Sequence, residues 1–315
     1  MSAVALRSAG VRRWLRLTVT LLLLGALLGW VGGAAVLDAL RAADPVWVVV
    51  GLLAATLANA ACAGRWRALA DWLGHRVDGR WALWAYFRGQ ALNAVLPGAT
   101  MGGDLWRVWA LQRLGVPWSH ASISVLLDRV IGLWALVWLG ALAAALALTL
   151  LPSVAVWPWG TPPWPWAAVA LLLALALWLV PLPLLRWGAQ ATWTDRPWGR
   201  WWRTLAQRQP QWQWPRQRRL ALLAQTATLS AWVAAAQAVG LTLPWWWLVP
   251  AATPIFLAAA LPVGLGGWGT REAAAAAVLG WLGAPIPQAL ALSVLFGLYP
   301  VMQAPLGLLP PPRPR

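Results

Sequence analysis

The sequence predicts an all-α polytopic membrane protein, and its composition and hydropathy are the basis of that prediction. Of 315 residues, 61% are hydrophobic and only 10% are charged, whereas a soluble globular domain has about 25% charged residues. The mean hydropathy is +0.64. A water-soluble surface requires more charge than this chain carries, so we expect a single transmembrane domain over residues 1–315.

Eight apolar segments divide the chain. Six of them approach or exceed the ~20 residues that a membrane-spanning helix needs; they cover residues 15–36, 45–63, 131–150, 166–185, 220–241 and 287–309. The other two, residues 81–96 and 248–261, are shorter and lead into sequence rich in Pro and Gly, which typically interrupts a helix. We therefore expect about six full spans and two broken re-entrant helical hairpins, which are completed by helical stretches over 105–114 and 271–283.

The arginine distribution predicts how the chain is oriented. All 24 basic residues are arginine, and short cytoplasmic loops collect basic residues. This rule places residues 1–14, the basic loop 186–219 and the C-terminus on the cytoplasmic side of the plasma (inner) membrane. The first apolar segment is too long for a cleaved secretory signal, so we interpret it as a signal anchor.

Two stretches of the chain resemble each other in layout. Residues 45–150 and residues 220–309 each contain a span, a hairpin and a second span, and the two stretches enter the membrane from opposite sides. Inverted repeats with broken helices are common in transporters, where they form the substrate site. The alternative is that Gly and Pro merely mark ordinary loops, and the sequence leaves both interpretations open.

A few charges lie away from the loops, and they are the first candidates for a binding site. They are Arg88, Asp104, Asp128, Arg129, Arg271 and Glu272. An unpaired charge at the bilayer centre costs at least ~2.5–3.5 kcal/mol, so we expect these groups to face a shared interior. Such a set would form a polar path through the protein, in which Arg88 could bind a lipid phosphate.

Each candidate also has a structural interpretation. Arg88, with Asn93 nearby, could reach the cytoplasmic headgroups from within the bilayer. Asp104 could cap a helix and pair with Arg107, three residues further on. Asp128 and Arg129 could simply begin a long helix at headgroup level.

The second hairpin has a glycine-rich tip, residues 264–269. Its spacing matches a dinucleotide-binding pattern, but the βαβ context that this motif requires is missing. We instead expect Gly266 and Gly267 to open a helix whose free N–H groups suit phosphate. Arg271 adds a full positive charge there, and Glu272 is expected to pair with an arginine of the other hairpin.

Several other function classes are disfavoured. The chain has one cysteine, Cys62, and two distant histidines, His75 and His120, so we expect no disulfide, no metal site and no cofactor. No Ser–His–Asp or Cys–His set is visible, and we do not expect an enzyme. The pI of about 12.0 could suggest nucleic acid, but arginines in loops between spans contact anionic lipid headgroups instead.

An ordered series of residues suggests a family. It comprises Arg65-Trp66, Gly89, Asn93, Leu96-Pro97-Gly98, Gly102-Gly103-Asp104, Arg107, Asp128-Arg129, Gly132, Pro262, Gly266-Gly267, Gly269 and Arg271-Glu272. The series resembles the flippase-like family that includes the transmembrane region of lysylphosphatidylglycerol synthases, over about residues 45–309.

The resemblance implies an integral membrane protein that moves a lipid between leaflets. It implies that Arg107, Asp128, Arg129, Arg271 and Glu272 belong to the lipid site. The full synthases carry a cytosolic aminoacyl-transferase domain, whereas only residues 310–315 follow the last apolar segment here. We therefore do not expect lysylphosphatidylglycerol synthase activity.

Together, these observations predict a flippase for an anionic or polyprenyl-phosphate lipid, which could be aminoacylated. The alternative is a non-transporting membrane scaffold for a lipid-modifying or glycosyl-transferring enzyme. Expected partners are lipids with anionic headgroups and, for the scaffold, such an enzyme; homo-oligomers are compatible with either function. The candidate substrate-binding residues are Arg88, Asn93, Asp104, Arg107, Asp128, Arg129, Gly266, Gly267, Arg271 and Glu272.

Overall fold

The protein is all-helical throughout the part of the chain that the structure, a computed structural model, describes. These residues are 18, 25, 33–95, 102–150, 164–188, 200–208, 210–261 and 268–312. The helices are α1 (Gly33–Arg41), α2 (Pro45–Trp72), α3 (Gly79–Val95), α4 (Gly102–Gln112), α5 (Trp118–Leu150), α6 (Trp164–Leu179), α7 (Pro181–Gly188), α8 (Arg200–Gln207), α9 (Pro210–Ala238), α10 (Trp245–Ala260), α11 (Thr270–Trp281) and α12 (Ile286–Leu308).

Four of the described helices are long and apolar enough to cross a membrane: α2, α5, α9 and α12. They contain the predicted spans 45–63 and 131–150 and most of the predicted spans 220–241 and 287–309. Helices α6 and α10 are apolar but shorter. Most of the predicted span 15–36 lies outside the described residues, and its last part belongs to α1, which continues to Arg41.

The spanning helices extend beyond the predicted spans into polar sequence. Helix α2 begins where Asp44 accepts a hydrogen bond from the Val46 N–H (2.8 Å) and continues beyond residue 63 to Trp72. Helix α5 begins at Trp118, well before residue 131. Hydropathy measures where a helix is apolar, not where its hydrogen bonding ends, so Arg65 and Asp128 lie on spanning helices although both fall outside the predicted spans.

One predicted span is corrected by the structure. The segment 166–185 forms two helices, with α6 ending at Leu179 and α7 beginning at Pro181. Proline has no N–H to continue the hydrogen bonding of the preceding turn, which explains the interruption. The basic loop predicted over 186–219 is also partly helical, because it contains α8 and the start of α9.

The first hairpin is formed by α3 and α4, which run antiparallel. Gly103 at the start of α4 packs on Gly89 of α3. The Trp106 indole N–H then donates to the Ala85 carbonyl (3.2 Å). Helix α4 therefore returns along α3 toward the end at which α3 began, as a hairpin requires. The connection over residues 96–101 lies outside the described residues.

Helix contacts can be compared between the two predicted units, residues 45–150 and 220–309. Helix α3 of the first unit packs on α12 of the second, and α10 of the second packs on α5 of the first. Within the units, α4 packs on α5 and α11 packs on α12. Exchanging the units therefore reproduces this set of contacts, as an inverted repeat would.

The first helices of the two units, α2 and α9, run antiparallel. Near one end, the Asp44 N–H donates to the Ala238 carbonyl (2.9 Å). Near the other end, Asp71 lies 3.6 Å from Arg216. Corresponding helices with opposite directions are what an inverted repeat predicts.

Candidate functional site

Asp128, on α5, is the centre of a buried ion-pair cluster between three helices. One carboxylate oxygen accepts a hydrogen bond from Arg65 Nε on α2, and the other accepts from Arg107 Nη1 on α4, both at 2.8 Å. All three residues are at most 5% exposed. Because an arginine keeps its charge in a protein, the carboxylate compensates two cations that burial would otherwise penalise.

Asp104 extends this cluster toward the surface. Its carboxylate accepts from Arg107 Nη2 (2.9 Å), as the spacing of three residues predicts, and from Arg129 Nε on α5. The Arg129 side chain is 42% exposed. The charges thus alternate from the buried Arg65 to the half-exposed Arg129.

Asp104 does not cap α4, which was the structural interpretation of this residue, but it does pair with Arg107. It lies in the first turn of α4, which begins at Gly102. Asn93 of α3 instead accepts the hydrogen bond from a free N–H of this turn, that of Gly103 (2.7 Å). The Asp104 carboxylate is therefore available to the two arginines, and its charge near the helix N-terminus is also favourable to the helix dipole.

A chain of amide side chains continues from the cluster into the helix interface. Asn93 contacts Gln90 (3.3 Å), and Gln90 donates to Asn59 of α2 (3.0 Å). Asn59 in turn donates to Gln303 of α12. These hydrogen bonds connect the first unit to the second through groups that are polar but uncharged.

The cluster forms one wall of a cavity of about 470 Å³. Three arginines and two aspartates line it, so the lining carries a net formal charge of +1. Leu126, Val130 and Leu133 of α5 also line it, and all three are exposed on the surface of the helix bundle. The charged residues of the lining are Arg65, Asp104, Arg107, Asp128 and Arg129.

Arg107 is additionally held by aromatic rings. Its guanidinium carbon lies 4.9 Å from the centre of the Tyr86 ring and 5.3 Å from that of Trp66. Trp66 is itself fixed by a hydrogen bond from its indole N–H to Ser124 (3.2 Å). Cation–π contacts of this kind orient a guanidinium in addition to its ion pairs.

Arg88 lies apart from this cavity. Its guanidinium carbon is 5.4 Å from the ring centre of Trp84 and 5.2 Å from that of Trp106. Arg88 is not part of the lining of the charged cavity. The structure thus brings Asn93 together with four of the five charged residues predicted from the first unit, and the fifth, Arg88, lies elsewhere.

Arg271 and Glu272 form a separate buried cluster on the second unit. Glu272 accepts hydrogen bonds from the Gly269 N–H (2.7 Å) and from Arg271 Nη2 (2.7 Å). Ser293 of α12 donates to the same carboxylate (2.9 Å) and accepts from Arg271 Nε (3.1 Å). Gly297 leaves room for the guanidinium, since a Cβ atom there would lie 2.1 Å from Arg271 Nη2.

This geometry corrects the prediction that Glu272 pairs with an arginine of the other hairpin. Glu272 accepts a hydrogen bond from the N–H of Gly269, the residue with a φ of +85° that precedes the first residue of α11. The positive charge that pairs with the Glu272 carboxylate is that of its neighbour Arg271. The predicted Gly266 and Gly267 lie outside the described residues. The two clusters occupy corresponding helix pairs, α4 with α5 and α11 with α12.

Sequence reasoning missed two kinds of site residue. Arg65 belongs to the ordered residue series but was not among the candidate substrate-binding residues, and Asn59, Gln90 and Gln303 were not singled out. The available signal was spacing, because Asn59, Cys62 and Arg65 recur every three residues and therefore lie near one face of α2. In the described parts of the chain, no group of three or more His, Cys, Asp or Glu residues is placed to hold a metal ion.

Comparison with known proteins yields one family. The family model described as the lysylphosphatidylglycerol synthase TM region matches residues 13–307, which is most of the chain. No curated protein matches. The family match confirms the resemblance that the ordered residue series suggested.

Proposed function

Since the chain belongs to the family of lysylphosphatidylglycerol synthase transmembrane regions, we propose that this integral membrane protein is a lipid flippase. In this proposal, the charged cavity binds the phosphate of an anionic lipid and the protein moves that lipid between leaflets. The observation that supports it best is a cavity with net charge +1 whose rim is apolar and exposed.

The charge of the cavity suits one phosphate diester. Such a group carries a single negative charge, which would neutralise the lining. Guanidinium groups bind phosphate oxygens through paired hydrogen bonds of fixed geometry. Arg129 is the most accessible of the three arginines, so we assign it first contact with the phosphate.

The rim of the cavity suits a ligand that is partly apolar. Leu126 is 54% exposed and Val130 is 51% exposed, and both are next to charged lining residues. On a membrane protein these exposed leucine and valine side chains face hydrocarbon. A molecule with a charged head and apolar chains meets both environments at once, whereas a soluble anion does not.

The two aspartates of the cavity assist release of the bound lipid as well as folding. Asp104 and Asp128 offset most of the arginine charge, so the cavity attracts an anion without holding it as three uncompensated arginines would. A site that passes its ligand onward must bind weakly enough to let it leave, as in ion channels. The hairpin α3–α4 carries Asp104 and Arg107 and is the element that we expect to move.

A proteoliposome assay tests this function. The purified full chain is reconstituted with fluorescent phosphatidylglycerol, and the fraction of label accessible to a membrane-impermeant quencher is followed over time. We expect the wild type and Arg113→Gln to equilibrate the label between leaflets and Arg129→Gln to be at least about tenfold slower, because it loses a charged hydrogen bond of about 1.5–3 kcal/mol. Arg113 is the matched control, since it is exposed and outside the cavity lining.

Two further arms identify the lipid class. Competition by unlabelled polyprenyl phosphate shows whether a phosphate on a hydrocarbon chain is sufficient for binding to the site. Fluorescent phosphatidylcholine, whose net charge is zero, should move more slowly than phosphatidylglycerol. Absence of transport for both labelled lipids, or equal rates for Arg129→Gln and wild type, would contradict the proposal, and the first result is what a non-transporting scaffold predicts.

A further inference from the structure

A second cavity, of about 420 Å³, lies beside the charged one and is almost entirely apolar. It is enclosed by side chains of α2, α5, α6, α8 and α9, together with Val180 and Pro181. Five tryptophan residues line it: Trp72, Trp134, Trp201, Trp202 and Trp214. We call it the tryptophan cavity.

Indole N–H groups do not make this cavity polar. The Trp72 N–H donates to the Leu205 carbonyl (3.0 Å), and the Trp134 N–H donates to the Leu177 carbonyl (2.7 Å). Both rings therefore use their polar edge within the protein and can present apolar faces to the cavity. The Trp214 N–H is buried and has no acceptor among the described residues.

The two cavities share a wall. Val130 of α5 lines both of them. Its neighbour Arg129 lines the charged cavity, and its neighbour Ile131 lines the tryptophan cavity. The charged cavity and the tryptophan cavity therefore adjoin within one turn of α5.

We propose that the tryptophan cavity binds one hydrocarbon chain of the lipid whose phosphate lies in the charged cavity. The proposal rests on the proposed function, because it takes the charged cavity to be the headgroup site. It adds a second subsite for an apolar chain, with indole rings as its walls.

The physical basis of chain binding differs from that in water. A lipid chain leaves hydrocarbon to enter the cavity, so removal from water contributes nothing. Selectivity must come from van der Waals contact with fixed rings, and five indoles supply a large, rigid surface for it. The chain subsite is therefore expected to discriminate by shape, while the charged cavity discriminates by charge.

Photo-crosslinking on the reconstituted full chain tests the proposal. The probe is phosphatidylglycerol with a diazirine in the middle of one acyl chain, and labelled peptides are identified by mass spectrometry. We expect labelling of peptides that contain Trp134, Leu177 or Leu205. Excess phosphatidylglycerol should suppress it at least about fivefold more effectively than excess phosphatidylcholine, since the charged headgroup gives the site its affinity.

Neighbouring leucines on α6 provide a matched pair of variants. Leu173 lines the tryptophan cavity, whereas Leu172 does not line it and is 65% exposed. Leu173→Trp fills the cavity and should reduce labelling at least about fivefold, while Leu172→Trp should leave it unchanged. Ala176→Trp, which fills the cavity from one turn further along, is a second test if Leu173→Trp does not fold.

The outcomes separate this inference from the proposed function. If Arg129→Gln reduces labelling and both cavity-filling variants do not, the chain subsite is wrong and the headgroup site stands. If filling the cavity reduces labelling but phosphatidylcholine competes as well as phosphatidylglycerol, the cavity holds ordinary bilayer lipid and the inference is overturned. Labelling spread evenly over the exposed helices also overturns it. The inference is supported if Arg129→Gln and the cavity-filling variants both reduce labelling while Leu172→Trp does not.

Discussion

Gly103 and Gly89 pack backbone against backbone at the crossing of α4 and α3. A Cβ atom on Gly103 would lie 2.2 Å from the Gly89 carbonyl oxygen, and the contact is with main chain that cannot rotate away. Close approach of two helices through glycine is common in membrane proteins. Here it also fixes the start of α4, and with it the positions of Asp104 and Arg107.

The first prediction concerns this contact. Gly103→Ala should destabilise the fold by about 1–3 kcal/mol, because the added methyl group forces the helices apart. It should also weaken lipid binding, since the position of Arg107 depends on the start of the same helix. Gly102→Ala is the control, because no described residue lies within 4 Å of a Cβ atom at Gly102. Thermal unfolding in detergent compares the two variants, and equal melting temperatures would contradict this account.

Asp128 should be the most important carboxylate for stability. Asp128→Asn leaves two buried arginines without their counter-ion, and breaking a buried ion pair from one side costs about 3–5 kcal/mol. Asp71→Asn removes a carboxylate from a partly exposed pair with Arg216, so its effect should stay within about 1 kcal/mol. The melting temperature of each variant measures the difference. A loss for Asp71→Asn as large as that for Asp128→Asn would show that burial of the cluster is not what matters.

Asp104 should affect lipid handling more than folding. Asp104→Asn raises the net charge of the cavity from +1 by one unit and releases Arg107 and Arg129 from their shared carboxylate. We expect several-fold tighter binding of phosphatidylglycerol and slower transport, because a lipid held more tightly leaves more slowly. A binding titration and the leaflet assay, performed on the same preparation, measure both. Weaker binding would instead indicate that Asp104 mainly positions the arginines.

Gly297 should be essential for the second cluster. In Gly297→Ala the new methyl group would lie 2.1 Å from Arg271 Nη2 and 3.0 Å from the Trp268 ring, so the guanidinium must move away from Glu272. We expect a loss of about 1–3 kcal/mol from overpacking. Gly280→Ala is the control, since its nearest neighbour is Ile286 at 3.6 Å, an ordinary contact. Chemical unfolding of the two variants decides whether the cluster is tightly packed.

Two histidines, one in the loop after α2 and one in the first turn of α5, predict a pH effect on stability. His75, in the loop after α2, lies 2.8 Å from His120 through ring nitrogens. Burial of the ring, with the positive charges of His120 and Arg208 nearby, lowers the pKa of His75 from its ordinary value of 6.5. The unfolded chain therefore takes up this proton at a higher pH than the folded protein does, and the stabilisation present above pH 6.5 is lost as the pH falls below it.

The measurement is the melting temperature at about pH 7.5 and about pH 5.5. The wild type should lose more than His75→Gln over this interval, and the difference should be small because His75 is partly exposed. The same loss in both proteins would mean that other groups cause the pH dependence.

The sequence was sufficient for the fold class because hydropathy reports directly on the solvent around a helix. It predicted the spans that lie within α2, α5, α9 and α12, and it predicted the hairpin of α3 and α4 from Pro and Gly. Helix ends were less predictable, because backbone hydrogen bonding continues through Arg65 and Asp128 without regard to hydropathy. The break before Pro181 has a cause that is visible in the sequence, the proline itself, although hydropathy alone predicted one continuous span over 166–185.

The candidate site was predicted in part, and the pattern of success has a physical cause. Charges inside apolar sequence stand out individually, so Asp104, Asp128 and Arg129 were found. Their partners depend on which helix faces meet, which no local pattern specifies, so the contribution of Arg65 was missed. Arg88 also stands out as a charge in apolar sequence, but it does not join the cluster. It contacts the indole rings of Trp84 and Trp106, which are distant from one another in the sequence.

Binding of a short-chain lipid to the purified full chain tests the central claim most directly, namely that the charged cavity binds a lipid phosphate. Isothermal titration calorimetry with dihexanoyl phosphatidylglycerol, farnesyl phosphate and dihexanoyl phosphatidylcholine compares wild type, Arg129→Gln and Arg113→Gln. We predict saturable binding of at least one phosphate-bearing anionic lipid to wild type and Arg113→Gln, and about tenfold weaker binding to Arg129→Gln, which corresponds to about 1.4 kcal/mol. Equal affinity in all three proteins, or equal affinity for phosphatidylcholine, would contradict the claim.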